Sequence, residues 1–368
     1  MKDRSVRRLI LKIGNIIMDP LVAIIFALLV GAVIIGAVGN NVIQAYTALW
    51  KGAFGSIRTF SQTLLAMTPL MFTAMAFAMA NRSGMFNLGG EGQFYIGAIL
   101  GAWAGFAIKG LPMFLHIPVV ILAGALGGML VGLVPAILKV KRSVNEVIVC
   151  IMMNYVGSCI ASYLVNPSGP LHQGSALPAT PMLQPSARLP ELIPGTRLTG
   201  GFILAGFCAI LFFVFLWKTR TGYKIRAVGY NALAAECGGI QSARYTVLAM
   251  MLAGALAGIG GAVEISGVHG RFYSNFSPGY GFEGVAVSML GGNHPFGIVL
   301  SALLFGALKS GAMAMQIQAG TNAELVKVLQ ALVIFFIAGK WSIIQLMERR
   351  TRRNEKGKLY PAEGGEAL

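Results

Sequence analysis

The stretch GGFILAGFCAILFFVFLW, Gly200–Trp217, contains no charged residue. Its length approaches the roughly 20 residues that an α-helix needs to cross the hydrocarbon core of a bilayer. Similar apolar runs recur along the 368-residue chain, of which 56% is hydrophobic and only 11% charged. Soluble domains average about 25% charged residues. We therefore predict an all-α, polytopic membrane protein.

The apolar runs predict about ten transmembrane segments, one of them short. A proline-rich stretch at 166–199 is too polar to span and is predicted to be a loop. Runs of small residues at 124–128 and 254–258 predict close packing between helices. The predicted segments lie at about 20–38, 62–80, 91–108, 116–138, 145–165, 200–217, 244–265, 281–293, 295–315 and 323–343.

The formal net charge of +16 could suggest nucleic-acid binding, but the basic residues sit near the ends of the predicted spans. Placing both termini in the cytoplasm puts 21 of the 29 Lys and Arg residues on that side. This asymmetry follows the positive-inside rule, so we expect a lipid bilayer and no nucleic acid as partner. The prediction is a transmembrane domain at 1–348, with an extracytoplasmic loop at 166–199, a cytoplasmic loop at 218–243 and a basic cytoplasmic tail at 349–368.

The sequence lacks the residues that several classes of function require. There is no G-x-x-x-x-G-K-[ST] phosphate loop, so the chain is not expected to hydrolyse ATP by itself. No clustered His and Cys set predicts a metal, and no cofactor is expected. An ion-coupled transporter or channel is one alternative, but it would use intramembrane Asp or Lys/Glu pairs, and the only two Asp lie near the N-terminus. A membrane enzyme is another alternative, and its catalytic residues are not visible.

Two glycine-rich openings precede apolar helices, and they are similar to each other. NLGGEGQFYIGAILGAWAG at 87–105 and GYGFEGVAVSMLGGNHPFGIVLSALLFG at 279–306 each contain a Glu-Gly pair after a long apolar span. Five predicted segments separate them, so the equivalent helices would run in opposite directions. Inverted repeats with broken helices are common in transporters, where the solute binds near the midplane.

Polar residues in these openings are candidates for a solute pathway. An ionisable group at membrane depth should face protein or water, so Asn87, Glu91 and Gln93 are predicted at or near the pathway. The alternative is that Glu91 only complements a helix N-terminus near the surface. The same two interpretations apply to Glu283 and Asn293.

The loop at 266–282 is rich in aromatic residues. They could stack on a ring-shaped solute or form an interfacial aromatic belt, and the belt is favoured. These residues are Phe272, Tyr273, Phe276, Tyr280 and Phe282.

The polar stretch TRTGYKIRAVGYNALAAECGGI, at 219–240, lies between two long apolar blocks. It predicts a turn at 220–222, a strand-like piece at 223–228 and a short helix at 231–237. Asn231 is the expected N-cap of that helix. The helix is too short and too poor in bulky apolar residues to hold a membrane well. A slim helix of this kind is suited to a groove in a partner protein.

This stretch resembles the cytoplasmic coupling loop of ABC-importer permeases of the ribose, branched-chain amino acid and nucleoside group. FNLGGEGQ and GFEGVAVSMLGGNHPFGI resemble motifs of the purine-nucleoside and simple-sugar branch, and the resemblance covers about residues 60–340 in order. The residues that match the loop pattern are Arg226, Ala227, Gly229, Asn231, Ala234, Ala235, Gly239 and Ile240.

The resemblance implies an importer permease of the bacterial cytoplasmic membrane that is driven by a separate ABC ATPase subunit. It further implies a second permease subunit, identical or different, and an extracytoplasmic solute-binding protein. The implied solutes are nucleosides, with simple sugars as the alternative. The implied ATPase-coupling residues are Arg226, Gly229, Asn231, Ala234, Ala235, Glu236, Gly239 and Ile240.

Overall fold

The computed structural model describes residues 25–26, 28–174 and 177–320, and single positions between 325 and 335. Regular structure in this part of the chain is helical, and β-structure there is limited to isolated bridges. The helices are α1 (Leu28–Ala37), α2 (Val42–Phe54), α3 (Ile57–Asn81), α4 (Gly90–Ala107), α5 (Met113–Arg142), α6 (Glu146–Val165), α7 (Gly201–Lys218), α8 (Arg220–Tyr230), α9 (Ala232–Cys237), α10 (Ser242–Glu264), α11 (Tyr280–Leu290) and α12 (Pro295–Ala319).

Among the described residues, six helices are long and apolar enough to cross a bilayer: α3, α5, α6, α7, α10 and α12. The all-α membrane architecture is therefore confirmed, whereas a count of about ten spans is not. The predicted segment at 91–108 is α4, which carries polar residues in its first turn, and the short segment is α11, with 11 residues. The first predicted segment is described only from residue 25, and the last lies mostly outside the described residues.

The chain divides into two compact units. The first comprises Met1–Tyr46 and Met315–Leu368, and the second comprises Thr47–Ala314. Within the first unit, the hydroxyl of Tyr46 donates a hydrogen bond to the carbonyl oxygen of Leu28 at 2.6 Å. All the residues of the candidate site lie in the second unit.

Helix α10 is the centre of the second unit, where it packs against α3, α4 and α5. Where α10 contacts α5, glycines of the two helices lie directly against each other. A Cβ atom at Gly128 would lie 2.8 Å from the Cα atom of Gly258 and would collide with the carbonyl oxygen of Gly254. The predicted close packing of the small-residue runs is thus confirmed, and it depends on backbones that approach without side chains between them.

The proline-rich loop is tied to the segment that follows α10. Thr180 donates its backbone N–H to the carbonyl oxygen of Phe272 at 2.9 Å, and Leu183 donates to that of Gly270 at 2.9 Å. A π-helical turn, Ile265–His269, follows α10 directly. The loop therefore holds the segment from which α11 begins.

Candidate functional site

The opening before α4 is held together by a pair of amides. Asn87 Nδ2 donates to Gln93 Oε1 at 3.0 Å, and Gln93 Nε2 donates back to Asn87 Oδ1 at 3.2 Å. The same oxygen of Asn87 accepts the backbone N–H of Gly89 at 3.0 Å. Both side chains are buried. Because their polar atoms are paired with each other, this geometry favours a bracing role for them over direct contact with a solute.

Asn154 on α6 completes the opening, and the sequence analysis missed it. Its Oδ1 accepts the N–H of Gly92 at 2.8 Å, and its Nδ2 donates to the carbonyl oxygen of Leu88 at 2.8 Å. A Cβ atom at Gly92 would lie 2.8 Å from the Cα atom of Asn154. The available signal was a single Asn within an apolar span, because a polar side chain at that depth needs a partner.

Glu91 joins the starts of two helices. Its Oε2 accepts the backbone N–H of Gly281, in the first turn of α11, at 2.6 Å. Glu91 also lies in the first turn of α4, where a carboxylate complements the helix dipole. Gly281 has to be glycine, since a Cβ atom there would lie 2.6 Å from the carbonyl carbon of Gly90. The two glycine-rich openings thus meet in one direct contact, which we call the Glu91–Gly281 junction.

Glu283, also in the first turn of α11, forms an ion pair with a residue of α12. The distance from Lys309 Nζ, on α12, to Glu283 Oε2 is 2.8 Å, and the two side chains are 26% and 25% exposed. The ammonium group also lies 4.3 Å from the ring centroid of Tyr280, within the range of a cation–π interaction. Sequence analysis missed Lys309, although it is a basic residue inside a predicted span.

The position of this pair restricts what it can face. Lys309 is the fifteenth of the 25 residues of α12, which places it near the middle of a helix long enough to span. A charged group near the bilayer centre is costly unless it faces protein or water. The exposed part of the pair is therefore expected to face an aqueous cavity or another subunit rather than lipid.

Asn293 lies apart from these residues, in the turn between α11 and α12. It adopts φ 53°, a left-handed conformation that Asn tolerates better than most residues. Its Nδ2 donates to Asn81 Oδ1 at 2.9 Å, and its Oδ1 accepts the hydroxyl of Ser288 at 2.8 Å. About 14 Å of helix, from Gly281 to Leu290, lies between Gly281 and Asn293. The structure thus brings Glu91 and α11 together but does not bring Asn293 to the same place.

The aromatic residues of the loop mostly pack on one another. Phe272 and Phe276 are buried, and the Phe276 ring stacks on Phe94 with centroids 5.6 Å apart and meets Tyr95 at 5.0 Å. The aromatic-belt interpretation is wrong for these two residues, because they lie inside the protein. Phe282 is the exception, with 49% of its surface exposed.

The polar stretch forms two helices, so the predicted turn and the predicted strand at 223–228 are wrong. Thr219 Oγ1 accepts the N–H of Gly222 at 3.0 Å and caps α8, a signal that the sequence analysis missed. The predicted short helix and its cap are confirmed. Asn231 Oδ1 accepts the N–H of Ala234 at 3.1 Å at the start of α9.

The surface of α9 and the end of α8 is open to solvent. Tyr230 is 84% exposed and Leu233 is 76% exposed, and neither was among the predicted coupling residues. Ala234 is also exposed, whereas Ala235 is buried against the rest of the chain. The remaining predicted residues, Glu236, Gly239 and Ile240, line an open cavity of about 590 Å³.

Two predicted coupling residues contact other parts of the second unit, the half-buried Arg226 and the exposed Gly229. The guanidinium group of Arg226 lies 5.7 Å from the ring centroid of Trp217, and its buried Nε has no hydrogen-bond partner among the described residues. At Gly229, a Cβ atom would lie 2.8 Å from the carbonyl carbon of Arg82 and 3.1 Å from the nitrogen of Gly84. Gly229 thus allows α8 to rest on the backbone of the turn that follows α3.

The chain was compared with known proteins. It is 35% identical over 348 residues to the guanosine ABC transporter permease protein NupP of Bacillus subtilis. This alignment covers 91% of this chain and 96% of that protein. It is 36% identical over 359 residues to the nucleoside ABC transporter permease protein NupB of Lactococcus lactis, covering 95% and 98% respectively. The glucose ABC transporter permease protein TsgB13 of Haloferax volcanii is 31% identical over 329 residues, 86% of each chain.

No solved structure matches the chain significantly. The sequence profile of the family described as "Branched-chain amino acid transport system / permease component" matches residues 59–338. That range includes the Glu91–Gly281 junction, the ion pair on α11 and α12, and the loop formed by α8 and α9. The chain is therefore a membrane permease subunit rather than an enzyme, and it belongs to this family of ABC transporter permease components.

Proposed function

We propose that this chain is the membrane-spanning subunit of an ABC importer that moves nucleosides into the cell. The observation that carries the solute assignment is the full-length similarity to two permeases named for guanosine and nucleosides, which covers more than nine-tenths of each chain. Similarity to a glucose permease, over 86% of each chain, makes simple sugars the second candidate. ATP hydrolysis takes place on a separate subunit.

The solute pathway runs past the Glu91–Gly281 junction and the Glu283–Lys309 pair. Two helices begin there inside the second unit, and helix starts have backbone N–H groups without intrahelical partners. The quarter-exposed Glu283 and Lys309 offer an acceptor and a donor of the kind that ribose hydroxyl groups can bond. Asn87 and Gln93 brace the opening from behind. Asn293 has a separate place, at the other end of α11.

The loop formed by α8 and α9 is the contact with the ATPase subunit. Its outer surface offers the large side chains Tyr230 and Leu233 beside the small Ala234. Short helices with a few large exposed side chains commonly dock in grooves of partner proteins. Arg226 and Gly229 hold the loop to its own chain.

The remaining partners and the orientation complete this proposal. A second permease subunit and an extracytoplasmic solute-binding protein act with the chain in the bacterial cytoplasmic membrane. Both termini are cytoplasmic, with the transmembrane domain at 1–348, the loop at 166–199 outside, and the tail at 349–368 inside. The first 24 residues and the tail lie outside the described residues, so the support is the charge asymmetry of the sequence.

Reconstitution in liposomes tests this function. The permease pair, its ATPase and its binding protein are assembled, and uptake of guanosine, adenosine, uridine, ribose and glucose is measured with internal ATP and with an internal ATP analogue that cannot be hydrolysed. ATP-dependent uptake of nucleosides is the expected result. Uptake of ribose or glucose alone would support the second candidate, and uptake driven by an ion gradient without ATP would contradict the importer.

A further inference from the structure

Arg82, which follows the last residue of α3, binds the turn between α11 and α12. Its Nη2 donates to the carbonyl oxygens of Gly292 at 3.2 Å and Asn293 at 2.9 Å, and its Nε donates to that of Asn293 at 3.2 Å. Hydrogen bonds from a charged donor are stronger than neutral ones. One side chain thus supplies three such contacts to a turn more than 200 residues away in the sequence.

The same guanidinium group contacts the end of α7. Arg82 lies 5.2 Å from the ring centroid of Trp217, the ring that Arg226 of α8 also approaches at 5.7 Å. The ring of His294, in the turn, lies 4.9 Å from Trp217. The ends of α3 and α7, the helix α8 and the turn therefore meet around one indole ring.

The backbone of Arg82 contacts the loop formed by α8 and α9. Gly229 packs against its carbonyl group so closely that a Cβ atom would collide with it. Arg82 therefore touches α8 through its main chain and the α11–α12 turn through its side chain.

We propose that Arg82 transmits movement of the α8–α9 loop to the α11–α12 turn, and so to the Glu91–Gly281 junction. This inference rests on the proposed function, because it assumes that an ATPase moves the loop. Arginine suits the role because its planar fork of five donors can bond two carbonyl groups and lie against an aromatic ring together. A lysine has a single ammonium group and cannot reproduce that geometry.

The turn does not depend on Arg82 alone for its shape. Asn293 is also held by Asn81 and Ser288 through its side chain. Removing the guanidinium group should therefore leave a folded turn that no longer follows α8. This separates a transmitting role from a purely structural one.

The experiment compares Arg82→Met and Arg82→Lys with Arg142→Met, which removes an exposed arginine at the end of α5. The amount of ATPase that co-purifies with each variant is measured first. The rate of ATP hydrolysis and the solute taken up per ATP hydrolysed are then measured in liposomes. In Arg82→Met, we expect the first two to stay near wild type and the uptake per ATP to fall about tenfold or more, the effect of one charge-assisted hydrogen bond. Arg82→Lys should be intermediate, and Arg142→Met should match wild type.

The outcomes distinguish this inference from the function on which it rests. If the wild type shows no ATP-driven uptake, the proposed function fails. If the wild type is active and Arg82→Met keeps a normal uptake per ATP, only the inference about Arg82 is refuted. If both Arg82 variants fail to assemble while Arg142→Met assembles, Arg82 is a folding element and the transmitting role is likewise refuted.

Discussion

Replacing Gly229 by alanine is a minimal test of the contact between α8 and the turn after α3. The added methyl group would lie 2.8 Å from the carbonyl carbon of Arg82 and 3.1 Å from the nitrogen of Gly84. Ordinary contacts between such heavy atoms are about 3.5–4.0 Å. The helix must therefore move away by roughly 1 Å, since both neighbours are main-chain atoms and cannot rotate aside.

The expected energy is the difference between two effects. Overpacking of a tight contact costs about 1–3 kcal/mol. Alanine is favoured over glycine in a helix by up to about 1 kcal/mol, and less at Gly229 because it is the last residue but one of α8. The net loss in docking of α8 is then about 1–2 kcal/mol, which corresponds to about 5- to 30-fold in the docking equilibrium.

Gly238→Ala is the matched control, because it changes the same residue type in the same loop. A Cβ atom there would lie 3.3 Å from the nearest atom, the carbonyl oxygen of Ala235, and its φ of −82° suits alanine. We expect Gly229→Ala to lower solute uptake per ATP by about 5- to 30-fold, and Gly238→Ala to change it less than twofold. Equal uptake per ATP in Gly229→Ala and wild type would refute the reasoning, as would equal impairment of both variants.

Four further results are expected. Glu91→Gln should lower nucleoside uptake by about tenfold at unchanged assembly, since its bond to α11 loses its charge, and normal uptake would mean that Glu91 is only a helix cap. Ala234→Trp should abolish co-purification of the ATPase because the outer surface of α9 becomes too bulky, and normal co-purification would show that the loop is only a linker. A cysteine at Met182, an exposed position in the proline-rich loop, should react with impermeant reagents from outside the cell, and labelling only from the cytoplasm would invert the topology. Burial and the nearby Arg82 lower the pKa of His294, so NMR titration should find this pKa below the ordinary histidine value. In Arg82→Met the pKa of His294 should rise, and an unchanged pKa would contradict the proximity of Arg82 to His294.

The helices that follow from the length of an apolar run could be predicted from the sequence. The predicted segment at 200–217 corresponds to α7, and the glycine-rich openings do begin α4 and α11. Polar residues near such an opening could be named for the same reason, because glycine interrupts a helix and a carboxylate at depth needs a partner. Which helix supplies that partner is a tertiary fact, as the contact between Glu91 and Gly281 spans 190 positions.

The failures have similar physical causes. The residues at 223–228 include aromatic and β-branched side chains, which favour strands. They form a helix nevertheless, because Thr219 caps α8 and one face of α8 packs against the rest of the chain. Arg226 matched the pattern of a coupling loop, yet a sequence pattern gives the type of a residue and not the direction in which its side chain points. Its side chain lies over Trp217 of its own chain, and that contact appears only when α7 and α8 fold against each other.

In the proposed mechanism, helix α11 connects the turn bound by Arg82 to the solute pathway. It carries Gly281 in its first turn and is followed directly by the turn that Arg82 binds. At 11 residues without an internal proline, it is short and stiff, so displacement of one end displaces the other. A hydrogen bond of 2.6 Å, as between Glu91 and Gly281, is lost when the atoms separate beyond about 3.5 Å. A shift of roughly 1 Å at the turn, transmitted by a rigid α11 along the direction of this bond, would therefore be enough to break it.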